Sequence, residues 1–170
     1  MIAEARAYLA QQLRAVMGDK TQIYLTEKQL RACMESHVGS VLIGGEALVI
    51  SGKKTSGGTG SARRKYDRSV PLLVTIGEYD LAKLEQYYEA FLLAIAADIK
   101  DANGYWLKLE PAEAEWTDKD DMILKANVSV IITINCSGGI YKPVRAADIS
   151  NYTVETQMVL DPTEEDLNGN

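Results

Sequence analysis

The sequence predicts an α+β domain: a mostly antiparallel sheet, helices packed on one face, and a long flexible loop between two strands. Three observations lead there. Segments 2–17 and 80–100 place apolar residues at three- and four-residue spacing, the period of a helix. Segments 66–76 and 122–135 alternate apolar residues at every second position, the period of a strand. Strand patterns also follow one another without a helix between them, unlike the strict alternation of a doubly wound parallel sheet.

Each element has its own signal. In the first helix, Ile2, Ala5, Leu9, Leu13, Val16 and Met17 form one stripe and Gly18 supplies the stop. A second, shorter helix starts at Thr26, whose pairing with Gln29 three residues on matches a capping box. Leu30, Cys33 and Met34 give its apolar face, and Gly39 is expected to end it. Residues 40–50 read as a strand bent at Gly44-Gly45. The stretch SGKKTSGGTGSARRK that follows is nearly devoid of apolar side chains and is expected to be a long flexible excursion. From Tyr66 the chain turns extended, with Val70, Leu72, Val74 and Ile76 on one side. Pro71 implies an edge position or an irregularity, because it donates no ladder hydrogen bond.

The helix at 80–100 carries Leu81, Leu84, Tyr88, Phe91, Leu92, Ile95 and Ile99 on its stripe, and Asn103-Gly104 closes the segment. A short strand is expected at Tyr105–Leu109. A long one is expected from Met122 to Asn135, with Leu124, Ala126, Val128, Val130, Ile132 and Ile134 on its buried face. After Gly138-Gly139, Tyr152–Leu160 is again strand-like. Residues 1–160 read as one assembly domain and 161–170 as a disordered acidic tail.

Composition narrows the function. One core suffices for 170 residues, and 46% hydrophobic with 25% charged residues excludes disorder of the whole chain. A net charge of −6 opposes binding of the chain as a whole to nucleic acid or anionic membranes, so any basic surface is local. The N-terminus lacks the basic start and apolar run of a signal peptide, and no stretch approaches the roughly 18 apolar residues of a membrane span. Cys33 and Cys136 have no metal-ligand spacing and read as reduced thiols of a cytosolic protein.

Signs of catalysis are sparse. His37 is the single histidine, placed near the end of the short helix. It reads either as a general base without a recognisable partner or as a helix-end residue, and the second reading is preferred. Gly57, Gly58 and Gly60 do not complete a phosphate loop. Asp118, Asp120 and Asp121 lack the glycine and terminal glutamate of a calcium loop and read as a solvated turn. No cofactor, metal or small-molecule substrate is expected. The feature that stands out is charge: Lys53, Lys54, Arg63, Arg64, Lys65 and Arg68 crowd one stretch against Asp67 alone. This stretch is either a solubilising loop or an arm that orders against an acidic partner or nucleic acid. No aromatic residue stands between Lys53 and Lys65, which argues against base stacking. Tyr105, Trp106 and Trp116 are by default core residues, with Trp116, among acids, a possible subunit contact.

Taken in order, ARRKYDRSVPLLVTI, the helix DLAKLEQYYEAFLLAIAADI, the segment GYWLKLEPAEAEWTDKDDMILKANVSVIITI and then GGIYKP resemble the tail terminator (tail completion) proteins of tailed bacteriophages, prophages and tail-like particles. The resemblance spans residues 1–145 in element order. It is specific from Arg63 to Lys142, through the EW-x-D-x-D phrase before a long strand and GGIYK after it. It implies a non-enzymatic structural subunit that forms a homo-hexameric ring on the tail tube protein. The ring stops tube polymerisation and offers a surface to head–tail connector proteins, with DNA passing only through its opening. It implies a place in the virion tail, reached by assembly in the cytoplasm of the bacterial host. Local charge, not the resemblance, nominates Arg63, Arg64, Lys65 and Arg68 as contacts. Competing readings are another head–tail connector or baseplate part, a nucleic-acid-binding module using the basic stretch, and an enzyme of unfamiliar type.

Overall fold

The computed structural model describes residues 1–51, 54–56, 61–117 and 126–143. Helix α1 (Ile2–Met17) forms as its stripe requires: Ala5, Leu9, Leu13 and Met17 are buried. The Glu4 carboxylate binds the N-terminal ammonium, which holds its pKa below the usual value. At the other end Gly18 takes a positive φ of 108° and returns its N–H to the Arg14 carbonyl. Strand β1 (Ile23–Tyr24) then leads to α2 (Glu27–Arg31), where the Thr26 hydroxyl accepts the Gln29 N–H at 3.3 Å.

The short helix ends earlier than the sequence predicts, and Gly39 has a different task. It lies inside β2 (Val38–Ile43), where a Cβ would stand 2.6 Å from Ile23 Cδ1 and 2.8 Å from Leu13 Cδ2. Glycine here lets α1 lie directly on the sheet. Strand β3 (Ala47–Ile50) follows the expected bend at Gly44-Gly45. Within the stretch expected to be a loop, β4 (Lys54–Ser56) and the start of β5 (Ser61–Glu78) are strands paired to each other. Their backbone groups satisfy one another across the hairpin, so no apolar side chain is needed to hold them extended.

Helix α3 (Leu81–Ala94) is capped by the Asp80 carboxylate, which accepts the N–H groups of Ala82 and Lys83. It stops short of the expected end at 100. Ile95 is extended, and Asp98–Lys100 forms β6, in which Ile99 stands opposite Leu107. Strand β7 (Trp106–Thr117) is longer than the short strand expected, and β8 (Val128–Pro143) starts later and runs further. Residues 122–125 of that expected strand, with Leu124, lie outside the described part.

The class is the predicted α+β one. The sheet order is β1-β2-β5-β8-β7-β6, with β3 and β4 pairing β5 beyond the end of β2. All pairs are antiparallel except β1 with β2. On one face, Val70, Leu72, Val74 and Ile76 of β5 and Val130, Ile132, Ile134 and Cys136 of β8 pack under α1 and α3. This is the expected helix face. Short α2 lies over the opposite face, where Leu30 and Cys33 meet Val38 and Ala126.

Pro71 sits in the centre of the sheet rather than at an edge, and an irregularity makes room for it. Its carbonyl accepts the Gly44 N–H, so its ring nitrogen points to the same side, into the break between β2 and β3. The missing donor falls where the ladder is already interrupted.

Candidate functional site

Strands β5 and β8 continue past the helices. Met1, at the start of α1, reaches as far as Gly138, where an added Cβ would stand 2.8 Å from its sulfur. Beyond that point β5 is flanked by β3 and β4 on one side and by β8 on the other, forming a three-stranded arm. A bulge between Arg64 and Tyr66 shifts the register there and re-aims the side chains.

The arm carries most of the predicted contact residues but uses them differently. Arg64 is held: its Nε lies 2.6 Å from Asp67 Oδ1, and its Nη2 donates to the Gly138 carbonyl. Arg68 is also held, its Nε 2.5 Å from Glu46 Oε1. These two arginines hold the arm's strands to each other. Lys65 is exposed, with its ammonium 5.3 Å from the centre of the Tyr66 ring. Arg63 is exposed as well and stands directly across from exposed Lys142, a residue that sequence reasoning missed. In register on the other side, Arg63 faces Lys54. Lys53, Gly57, Gly58 and Gly60 lie outside the described residues, as do Asp118, Asp120, Asp121, Tyr152–Leu160 and the acidic tail.

Arg63 and Lys142 form a cross-strand row that places like charges opposite one another. Such pairs cost up to about 1 kcal/mol each when nothing anionic lies against them. The row lies on the helix side of the sheet, because β8 alternates and Lys142 shares the parity of Ile134 and Cys136. On the opposite side of the sheet, β7 exposes Glu110, Glu113 and Glu115. Glu110 is engaged by Lys108 at 2.6 Å, which raises the Lys108 pKa. The chain is therefore polarised, with a basic arm tip on one face and an acidic stripe on the other.

Aromatic residues are spread along β7 and β8, with Tyr141 in the arm opposite Arg64 and Trp116 in the body opposite Val130. Tyr105 and Tyr141 stack with ring centres 3.8 Å apart, and burial raises the Tyr141 pKa. Trp116 packs edge-on against Tyr88 of α3 at 5.0 Å and remains 44% exposed, so half of it belongs to the fold. Trp106 is the more exposed tryptophan at 61%, with Lys100 over its ring at 4.6 Å. Alternation alone distinguishes it from Leu107 and Leu109, which are buried.

His37 is neither isolated nor at a helix end. It lies just before β2, its Nδ1 2.5 Å from Glu78 Oε2 and its Nε2 2.7 Å from Thr21 Oγ1. The order hydroxyl, imidazole, carboxylate is that of a nucleophile with its base. The placement differs. Thr21 is buried and its hydroxyl also donates to the Met17 carbonyl, while Glu78 is buried and accepts the Tyr79 N–H. The chain Thr21–His37–Glu78 thus ties the end of α1 to the start of β2 and the end of β5. A groove of about 570 Å³ opens elsewhere, between α2 and the sheet, lined by Leu25, Leu30, Leu42, Ile43, Leu73 and Ile131. Arg6 at its rim is spent on the Leu25 and Val41 carbonyls, and Glu27 on Arg31. Both cysteines are free and buried, and burial raises the Cys136 pKa.

Comparison of the chain with protein-family models and with curated proteins gives no match.

Proposed function

We propose that this chain is a structural subunit of the tail terminator type, which assembles head to tail into a ring on the end of a phage tail tube. The observation that carries the reading is the polarity of the charge. Arg63 and Lys142 are exposed at the arm tip on the helix face, and Glu113 and Glu115 are exposed on the opposite face of β7. A contact between different patches of identical subunits closes into a ring when the rotation between them closes. The like-charge row of one subunit, which has no ion pair among the described residues, then meets the acidic stripe of the next, and the repulsion along the row is offset.

The resemblance supplies the rest of the reading: a hexamer that stops tube growth, meets head–tail connector proteins and lets DNA pass through its opening. The place of work is the virion tail, after assembly in the bacterial cytoplasm, and neither catalysis nor a cofactor enters the role. Lys65 and Trp106, exposed and away from the row, are left for the tube.

The test is solution mass by light scattering with negative-stain imaging, alone and with purified tail tubes. Arg63→Glu is expected to disperse the rings, and Glu113→Lys with Glu115→Lys added to it is expected to restore them. A chain that stays monomeric with tubes present contradicts the proposal. Salt-resistant DNA binding by that monomer, lost in Arg63→Glu, would instead favour a nucleic-acid-binding module.

A further inference from the structure

We infer that the groove under α2 seats the arm of a second copy of this chain, receiving its apolar row Ile50–Tyr66–Ile140. This rests on the head-to-tail reading above and names the apolar half of that contact. In the arm, Ile50 pairs with Tyr66 and Tyr66 with Ile140, so the three stand side by side on the helix face. Ile50 is 83% accessible and Ile140 38%. Arg63 and Lys142 form the next row toward the tip on the same face, about 7 Å further along β8. The arm therefore presents an apolar row with a basic row beyond it.

The groove has the complementary order. Two cross-strand rows on the opposite face run through β2, β5, β8 and β7: Leu42–Leu73–Thr133–Glu113 and Ser40–Thr75–Ile131–Glu115. Leu42, Leu73, Thr75 and Ile131 line the groove from below, with Leu25 and Leu30 on the α2 side. The last members of the rows are the exposed Glu113 and Glu115, and Glu115 stands one strand spacing, about 4.8 Å, from Ile131. On the β2 side the cation is Arg6, whose guanidinium donates to the Leu25 and Val41 carbonyls. The charges thus set one orientation, with the basic tip over β7 and Ile50 toward β2. The reverse would bring Arg63 and Lys142 up to Arg6 and lay the apolar row on the glutamates. Charge gives the contact its direction, and burial of Ile50 and Ile140 gives it affinity. Because the row and the groove lie on opposite faces of one sheet, a chain cannot seat its own arm. The occupant is another copy.

The experiment is cross-linking of the full chain on tail tubes with a short bismaleimide, with ring formation followed in parallel by light scattering. Ile50→Cys together with Leu25→Cys, both at exposed positions, is expected to give a ladder of covalent oligomers. Either variant alone, and the wild type with its buried Cys33 and Cys136, is expected to give monomers. Ile50→Ser is expected to raise the concentration needed for half-assembly by ~10-fold. Rings of the double variant without a ladder overturn this inference and leave the head-to-tail proposal standing, as does an unchanged assembly curve for Ile50→Ser. Covalent dimers from Ile50→Cys alone also overturn it, since they set arm against arm. A wild-type chain that forms no rings with tubes present overturns both.

Discussion

Strands β5 and β8 pass through two environments, and the contrast between them separates what holds the fold from what is left for partners. In the body their alternate residues Leu72, Ile76, Ile132 and Ile134 are buried under α1 and α3. In the arm, the same two strands present Arg63, Lys65, Ile140 and Lys142 to solvent, and the neighbouring β3 is exposed throughout. Backbone pairing continues unbroken apart from one bulge. The sheet supplies rigidity in both regions, whereas the hydrophobic contribution to stability is confined to the body.

The sharpest way to break this contrast is to truncate matching apolar residues in the two regions. Leu9→Ala or Ile134→Ala removes a fully buried side chain and is expected to cost about 2–5 kcal/mol in urea unfolding. Ile50→Ala in the arm is expected to change stability by less than about 1 kcal/mol, since its side chain is largely exposed. Equal losses at both places would erase the distinction. Next in size is Gly39→Ala, which drives a methyl group against Ile23 and Leu13 and should cost about 1–3 kcal/mol. His37→Ala follows at about 1–3 kcal/mol, because it leaves the buried Glu78 carboxylate without its imidazole partner. In a chain of this length, each kcal/mol lowers Tm by roughly 2–4 °C. Smallest is Arg63→Glu, which relieves a like-charge pair and should leave monomer stability within about 0.5 kcal/mol of wild type while abolishing assembly. The thiols sharpen the picture further. Cys136, buried and with a raised pKa, should resist a thiol reagent until the body unfolds, and reaction in the native state would place an opening in the core.

The body was legible in the sequence because its patterns are local. The α1 stripe, the Thr26 cap and the alternation around Leu72 and Ile132 each report their own burial. What was not legible depends on partners distant in the chain. Ile95 and Ile99 continue the spacing of α3, yet residues 98–100 leave it to pair with β7. Gly39 resembles a helix stop, and its actual reason, the closeness of Leu13 and Ile23, is visible only in three dimensions. The two-residue β1 is too short to show any period. In the candidate site, the basic stretch was evident from composition. Its division into arginines that hold the arm and Arg63 and Lys65, which make no ion pair among the described residues, was not, because it rests on Glu46, Asp67 and the Gly138 carbonyl. Lys142 joins the site only through the register of β8 against β5. Thr21, His37 and Glu78 likewise come from three separate segments, so no spacing in the sequence could have brought them together.

The central claim is head-to-tail assembly through oppositely charged faces, and light scattering of the charge-reversal pair tests it most directly. The account predicts ring-sized particles for the wild type, on tail tubes if not alone. It predicts monomers for Arg63→Glu and rings again when Glu113→Lys and Glu115→Lys are added. Rings that persist in Arg63→Glu, or a wild-type chain that remains monomeric in the presence of tubes, would contradict it.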